Sequence, residues 1–546
     1  MKIRSDEDGF FGVKTYYALL LVLPLALPAS ETGFSHFAPG EVRVGGEIGH
    51  RFDLTVGKIL HHTNVDNDFL RFFRNRVDGE GPGAERMENL ISNGGPFGGF
   101  VGYGMFLDGV VKACARGIGG EELQAFKRRA LRELVATQGE DGSISIFKSI
   151  PKGRICEPHS ALWDCHESSY ILQTLAGEAL ATGDRETLRA ATRLADHMME
   201  REEGLNLGCE AAFVMVYKAS GDRRYVDWLD RHLQIAEGLD VYDKLVVING
   251  VRHVYTAVAR AAAQLDYAEA TGAADACYRA PAFELMTRLM GPHSSVSGSC
   301  TDNEQWSVIE RGTGSWGETC ATAYAMRLAK KLQCIDPSSR YGDYLERLMY
   351  NALFAAQSPD GVNCRYFIPF EERGEWWPRD TFCCPNNFRR WIFELADVVF
   401  LRSARGVAVN LYTDASLKTD GLSVEMKTRY PEDGAVEIVT EADRTIELLL
   451  RIPLWSAEPD AGQWRRLELP AGRQVTKVDF KLVERLVAGQ GQQQGKVAFL
   501  RGPVVYGLDE KGARVRFSDP ARVRTYFVPP EGATIREDEL FAARAK

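Results

Sequence analysis

From about residue 55 to residue 400 apolar side chains recur three and four apart, and near residue 405 the period drops to two. The first spacing belongs to helices that bury one stripe and the second to strands that bury one face. A long helical part must therefore be followed by a sheet part. The pattern predicts helices over Glu121–Thr137, Ser168–Thr182, Glu186–Met199, Glu210–Ser220, Tyr225–Ala236, Thr256–Thr271, Ala282–Met290, Glu318–Leu332 and Tyr341–Ala356. Their connections repeat a signal: Ala-Thr-Gly-Asp184, Ala-Ser-Gly-Asp222 and Ala-Thr-Gly-Ala273. A glycine there ends a helix in the left-handed conformation, and the Asp of two of them is free to cap the next helix. Turns 38 and 51 residues apart mean helical hairpins in series. Such hairpins stack as an open solenoid or close into a ring, and periodicity alone does not choose.

Beyond residue 405, Val407, Val409 and Leu411 alternate, then Leu422, Val424 and Met426, then Val436 and Ile438, then Ile446, Leu448, Leu450 and Ile452. Short alternating strands between Gly, Pro and Asp turns predict an antiparallel β-sandwich. Val497–Val505 adds one more strand, and after Leu508 only Val515–Phe517 and Val523–Val528 are strand-like. The fold class is multidomain α + β, as a length of 546 residues requires of a chain with ordinary domain sizes. The expected divisions are a leader at 1–30, a helical domain at 31–400, a sandwich at 401–508, and a remnant domain or tail at 509–546.

The leader is read from the apolar run Thr15–Ala29, preceded by Lys14 and followed by Ser30. It has the length of a signal-peptide core and is too short and Pro-broken for a membrane span. Lys2 and Arg4 are offset by Asp6, Glu7 and Asp8, which a start site nearer Lys14 would repair. Export to the periplasm or outside is the expectation; the alternative is an N-terminal helix packed on a cytoplasmic protein. A net charge of −9 argues against a nucleic-acid partner.

Reactive side chains group in one place. Asn303-Glu304-Gln305-Trp306 is followed fourteen residues after Glu304 by Glu318-Thr319-Cys320, and sixty-three residues after Cys320 by Cys383-Cys384-Pro385-Asn386-Asn387. The eleven cysteines are odd in number and irregularly spaced, unlike a disulfide scaffold. Neighbouring Cys383 and Cys384 bridge each other only with strain. Zinc takes thiolates and a carboxylate, so Glu318, Cys320, Cys383 and Cys384 would fill a tetrahedral site, either structural or catalytic. A zinc thiolate is ionised and nucleophilic at neutral pH. Glu304 is then the candidate acid/base, with Asp302 and Glu310 competing for the role. Trp306, Trp316, Tyr366, Phe367, Trp376 and Trp377 lie in the same loops, and exposed aromatic faces stack on sugar rings.

Asn303-Glu304, Gly317-Glu-Thr-Cys-Ala321 and Cys383-Cys-Pro-Asn386 together resemble the signature of the bacterial non-reducing-end β-L-arabinofuranosidases, glycoside hydrolase family 127. Arg451-Ile-Pro-Leu-Trp455 and Leu500-Arg-Gly-Pro-Val-Val-Tyr506 are similar to strands of that family's sandwich domain, so the likeness runs patchily from about residue 55 to 508. The resemblance implies a closed (α/α)6 barrel followed by the sandwich. It implies zinc on Glu318, Cys320, Cys383 and Cys384, with Cys383 as nucleophile and Glu304 as general acid/base. Tyr366 matches an active-site tyrosine, and His166-Glu167 a family His-Glu pair. The implied substrate is a glycan, cut with retention through a thioglycosyl intermediate, and His166, His253, Tyr366 and Trp306 are expected to meet the sugar.

Departures fall where the sugar would be held. The family's later Gly-His motifs read Gly208-Cys209 and Gly250-Val251, with His253 two positions on, and its Gly-Gly-Trp-Glu reads Gly98-Gly-Phe-Val101. Other functional classes are a zinc-free enzyme of the same toroidal type, such as a uronide hydrolase or polysaccharide lyase, and a degenerate glycan-binding protein with structural zinc.

Overall fold

The computed structural model describes residues 33–77, 100–148, 162–201, 209–233, 235, 253–273, 276–291, 294–307, 310–373, 376–377, 380–519 and 522–538. The leader at 1–30 lies outside them, as do residues 98–99, 208 and 250–251. Among the described residues no helix is long and apolar enough to cross a membrane.

Among the described residues twelve helices of ten residues or more follow one another: α1 Gly46–His61, α2 Tyr103–Ala115, α3 Gly120–Val135, α4 Leu162–Thr182, α5 Arg185–Arg201, α6 Glu210–Ser220, α7 Arg224–Leu233, α8 Val254–Thr271, α9 Ala276–Leu289, α10 Thr319–Ile335, α11 Ser339–Leu348 and α12 Cys383–Ile392. The even-numbered helices each pack on the next, and α12 packs back on α2, closing a ring of six. The odd-numbered helices lie against it: α3 on α2, α5 on α4 and α6, α7 on α6, α9 on α8 and α10, α11 on α10, and α1 on α12 and α3. Burial follows this placement. Fourteen of the eighteen residues of ring helix α8 and all ten of α12 are buried, whereas α5 buries six of seventeen along one stripe.

The predicted turns are where the glycines placed them. Gly183, Gly221 and Gly272 have φ of 73°, 74° and 74°. Asp184 accepts the amide hydrogens of Glu186 and Thr187, and Asp222 that of Arg224. These short connections leave the C-terminal ends of ring helices. Longer connections enter their N-terminal ends, so one end of the ring carries the loops.

Some elements differ from the sequence reading. Helices α1, α2 and α12 have no counterpart in it. Helix α9 starts at Ala276 rather than Ala282 and tolerates Pro281 near its start. The predicted helix to Ala356 is α11 followed by a π-helical turn, Met349–Leu353, and one last turn.

Three sheets follow. The first runs Ser35–His36, Phe400–Ser403, Gly406–Val409, Ile446–Arg451, Trp464–Leu469, and the second Gly472–Asp479, Ala435–Ala442, Leu422–Thr428, Ala415–Thr419, Val42–Val44. The third is built on Glu484–Ala488, Val497–Arg501 and Val504–Leu508, with Arg514–Arg516, Tyr526–Phe527 and Ile535–Arg536 paired onto it. The predicted single strand Val497–Val505 is thus a hairpin turning at Gly502-Pro503. Two pairings are parallel, Gly406–Val409 with Ile446–Arg451 and Glu484–Ala488 with Ile535–Arg536, so the sheets are not purely antiparallel as expected.

Arg451, wholly buried, locks the first sheet to α11 by ion pairs to Asp343 at 2.5 Å and Glu346 at 2.7 Å. The Trp455 indole donates to the same Glu346 at 3.1 Å.

Candidate active site

The site lies where N-terminal ends of ring helices converge. Those ends expose amide hydrogens without intrahelical partners, which the entering loops must satisfy. The amide of Val254 donates to the carbonyl of Glu304 at 3.0 Å, that of Thr319 to the carbonyl of Tyr366 at 3.0 Å, and that of Glu318 to the Thr301 hydroxyl at 2.9 Å. Glu304 and Tyr366 are therefore tied to the first turns of α8 and α10. Glu167, in the second turn of α4, accepts the amides of Val101, Gly102 and Gly104 at the start of α2, at 2.6 to 2.9 Å. Burial pushes its carboxyl up to about 6 against the pull of those amides. Gly102 is required there: its φ is 84°, and a Cβ would sit 2.8 Å from Asn386 at the head of α12.

Cys383 and Cys384 open α12, and Pro385 stands in a first turn that needs no amide hydrogen. Asn386 braces the approach by donating to the carbonyls of Asp380 and Phe382 at 2.7 and 2.8 Å. Glu318 is the N-cap of α10, with Cys320 one residue inside the helix. One ligand atom from each of Glu318, Cys320, Cys383 and Cys384 lies within 4.8 Å of the others, and all four residues are buried. Cys320 and Cys384 sulfurs are 3.2 Å apart, and the described cysteines are all free. Glu318 Oε2 has no hydrogen-bond partner among the described residues. Three sulfurs and a buried carboxylate with one unpartnered oxygen are a donor set able to hold a metal ion.

Glu304 sits beside this cluster in the turn between two short strands, with φ of 68°. Its carboxylate accepts the Tyr366 hydroxyl at 2.6 Å and lies 2.9 Å from His253 Nε2. The same Tyr366 hydroxyl is 3.5 Å from Cys383 Sγ. His253, the N-cap of α8, turns Nδ1 to within 4.0 Å of Glu318 Oε2. Glu304, Tyr366, His253 and Cys383 thus form one connected group.

Hydrogen bonds from the neighbouring thiols of Cys320 and Cys384, with one from Tyr366, hold the Cys383 thiol well below the usual range despite burial. Burial pushes the Glu318 carboxyl well up. Burial lowers His253, but the Glu304 bond and the Glu318 charge outweigh it and raise the imidazole to about 9.

The other candidates separate. His166 is completely buried, bonds Tyr255 at 3.1 Å, and packs its ring on Phe100 and Tyr170 at 5.0 and 4.8 Å. Trp306 is half-buried on the strand after Glu304. Asp302 pairs with Arg311 at 2.5 Å, and Glu310 is buried against Tyr526 at 2.9 Å in the third sheet, so neither rival of Glu304 joins the group. Trp316 is fully buried, and Trp376 lies under Arg365 at 3.6 Å. Cys209 is buried as the N-cap of α6. Residues that sequence reasoning passed over are Tyr255, Asn387 and Arg390. Asn387 stands one turn beyond the paired cysteines and Arg390 nearly a turn further along α12.

A family model described as "Beta-L-arabinofuranosidase, GH127 catalytic domain" matches residues 47–397, and one for the GH127 middle domain matches 406–466. The non-reducing end β-L-arabinofuranosidase of Bifidobacterium longum subsp. longum is 24% identical over 480 residues, covering 71% of this chain and 72% of that protein. Among solved structures, a GH127 β-L-arabinofuranosidase from Geobacillus stearothermophilus T6 superposes with a TM-score of 0.66 at 19% identity, over 86% of each chain. A GH127 β-arabinofuranosidase does so with a TM-score of 0.71 at 17% identity, over 92% of this chain and 99% of that one. Fold, site and these relatives define the chain as a glycoside hydrolase. It belongs to the β-L-arabinofuranosidase family GH127, whose catalytic-domain model spans most of its length.

Proposed function

We propose that this chain is an exported, retaining glycosidase that removes a non-reducing terminal β-L-arabinofuranose, or a closely related sugar, from plant cell-wall glycans. The twelve helices read as an (α/α)6 barrel within residues 31–400. The sheets at 401–508 read as a sandwich, extended by strands from 35–44 and 509–538. The observation that carries the mechanism is the Tyr366 hydroxyl, which touches both Glu304 and Cys383 and so sets a carboxyl and a sulfur on either side of one small space.

Zinc on Glu318, Cys320, Cys383 and Cys384 would keep the Cys383 sulfur ionised at neutral pH. Cys383 Sγ then attacks the anomeric carbon as the bond to the leaving oxygen breaks, and Glu304 delivers its proton to that oxygen. Water next adds to the anomeric carbon, Glu304 takes a proton from it, and the carbon–sulfur bond breaks to restore the thiolate. Two displacements return the original configuration. Tyr366 and His253 orient Glu304 and face the sugar with Trp306, while His166 acts through Tyr255.

The test is to mix a Glu304→Gln variant with an aryl β-L-arabinofuranoside bearing a good leaving group and weigh the protein. A pentosyl adduct on the Cys383 peptide is expected, with close to one zinc per chain in the wild type. Full hydrolysis by Cys383→Ala, or by protein stripped of metal, would remove the reading. A panel of terminal L-arabinofuranosides and rhamnogalacturonan fragments identifies the sugar released.

A further inference from the structure

Asn387, one turn into α12, points its amide nitrogen at Cys320 Sγ, 3.2 Å away. Its amide oxygen lies 2.8 Å from Arg390 Nη1. A guanidinium offers donors and no acceptor, so the oxygen must face Arg390 and the –NH2 must face the sulfur. Arg390 is itself fixed by three further partners. Nε meets Asp108 at 2.5 Å, Nη1 the Tyr324 hydroxyl at 3.0 Å, and Nη2 the Gln173 amide oxygen at 2.9 Å. Arg390 is fully buried and Asp108 nearly so, and their partners come from α2, α4, α10 and α12, four of the six ring helices.

An N–H aimed at sulfur stabilises a thiolate more than a thiol, because it offers a positive end to the lone pairs that carry the charge. Three thiolates and a carboxylate outweigh the two charges of a divalent ion, so this cluster stays anionic when loaded and gains from a buried cation one residue away. Outer partners of this kind fix ligand orientation and electron density.

We propose that Asn387, oriented by Arg390, is a positioning residue that holds Cys320 in its metal-binding form. This rests on the zinc reading above. It predicts that the cage weakens when the amide is removed, although neither Asn387 nor Arg390 touches the ion or the sugar.

The test measures zinc affinity by competition with a chromophoric chelator, and the thiolate-to-metal charge-transfer band of the cobalt-substituted protein, in wild type, Asn387→Leu, Asn387→Asp and Arg390→Lys. Asn387→Leu is expected to bind zinc about 10–100-fold more weakly and to shift the band. Asn387→Asp should lose more, because a carboxylate then faces the sulfur. Arg390→Lys should fall between wild type and Asn387→Leu. A folded Asn387→Leu protein with affinity within about twofold of wild type and an unshifted band overturns the proposal. If Asn387→Leu does not fold, Asn387→Ala, which removes the donor without adding bulk, is judged by the same two limits. A wild type that takes up no zinc fails the underlying reading instead, so the two failures are distinguishable.

Discussion

The two ends of the helical ring are built from opposite charges, and the helices themselves explain why. Helix N-termini carry partial positive charge and C-termini partial negative charge. At the N-terminal end stand Glu167, Glu304, Glu318 and the thiols of Cys320, Cys383 and Cys384. At the C-terminal end a cavity of about 570 Å³ is lined by Lys112, Arg116, Lys218, Arg327, Lys330 and Lys331 among others. There Glu394 holds Lys112, Arg327 and Lys330 at 2.5 to 3.0 Å, and Asp397 holds Arg116 and Lys330 at 2.5 Å. The cavity is large, yet its charges are matched to one another and to the helix ends. At the N-terminal end His253 Nδ1 and Glu318 Oε2 have no hydrogen-bond partner among the described residues and face each other at 4.0 Å. Asn303, Glu304, Glu310 and Phe382, the described non-glycine residues with positive φ, all lie in loops entering that end. Unmatched donors and strained backbone persist where function requires them.

The sharpest way to separate the ends is to remove one group from each. Cys383→Ala should lower kcat/KM on an aryl β-L-arabinofuranoside by about 10⁴-fold or more, with any fall in melting temperature tracking the loss of zinc. Glu304→Gln should cost about 10²–10⁴-fold, less for a substrate whose leaving group needs no proton. Loss of that leaving-group dependence would move the acid role elsewhere.

The opposite end should respond in the reverse sense. Glu394→Ala takes the carboxylate from Arg327 and leaves Lys112 with Asp108 and Lys330 with Asp397 in a largely buried cluster; it is expected to cost about 3–5 kcal/mol of stability, while kcat of the folded fraction stays within about twofold. Acid tests the same cluster. The neighbouring Lys112 and Arg390 hold Asp108 down at about 2 despite burial. Its contribution is present above the ordinary carboxylate range and is lost as pH falls from about 4 towards 2. Denaturant melts in that window should steepen with pH in the wild type and flatten in Asp108→Asn.

The sheet side of the site loop titrates in the other direction. Burial pushes Glu310 up to about 7, against the hydrogen bonds from Gln490 and Tyr526. A raised carboxyl favours the fold when protonated, so its contribution is full below about 4.5 and is lost as pH rises through 7, a term on the order of 2–3 kcal/mol. Wild-type stability should therefore fall between pH 5 and 7.5 where Glu310→Gln stays level. Equal slopes in the two proteins would show that Glu310 is already ionised in the fold.

Periodicity disclosed helices on both sides of the ring, α4, α6, α8 and α10 within it and α5 outside it, and missed α1, α2 and α12. Helix α2 is apolar but for Asp108 and Lys112, and α12, Cys-Cys-Pro-Asn-Asn-Phe-Arg-Arg-Trp-Ile392, is polar in composition yet wholly buried through paired arginines. Both were invisible to a pattern search. Pro281, the sixth residue of α9, hid its start, because a proline inside a helix reads as a boundary. Among site residues, Glu304, Glu318, Cys320, Cys383 and Cys384 stood out by chemical type, and Tyr366 and His253 join them in the fold. Asn387 and Arg390 did not stand out, since their meaning lies in partners such as Asp108, 282 positions away.

The smallest effect belongs to the turns from which the helical array was first read. Gly221 closes α6 with φ of 74°, and a Cβ built there meets nothing within 4 Å. Gly221→Ala therefore creates no clash, and its cost is the left-handed backbone alone, about 1–2 kcal/mol. The turn leaves the C-terminal end of a ring helix, away from Cys383 and Glu304, so activity should be unchanged at temperatures where both proteins are folded. Melting temperature and kcat/KM on the same sample decide it. A loss of activity without loss of stability would mean that the two ends of the ring are mechanically coupled, and the division of labour between them would have to be redrawn.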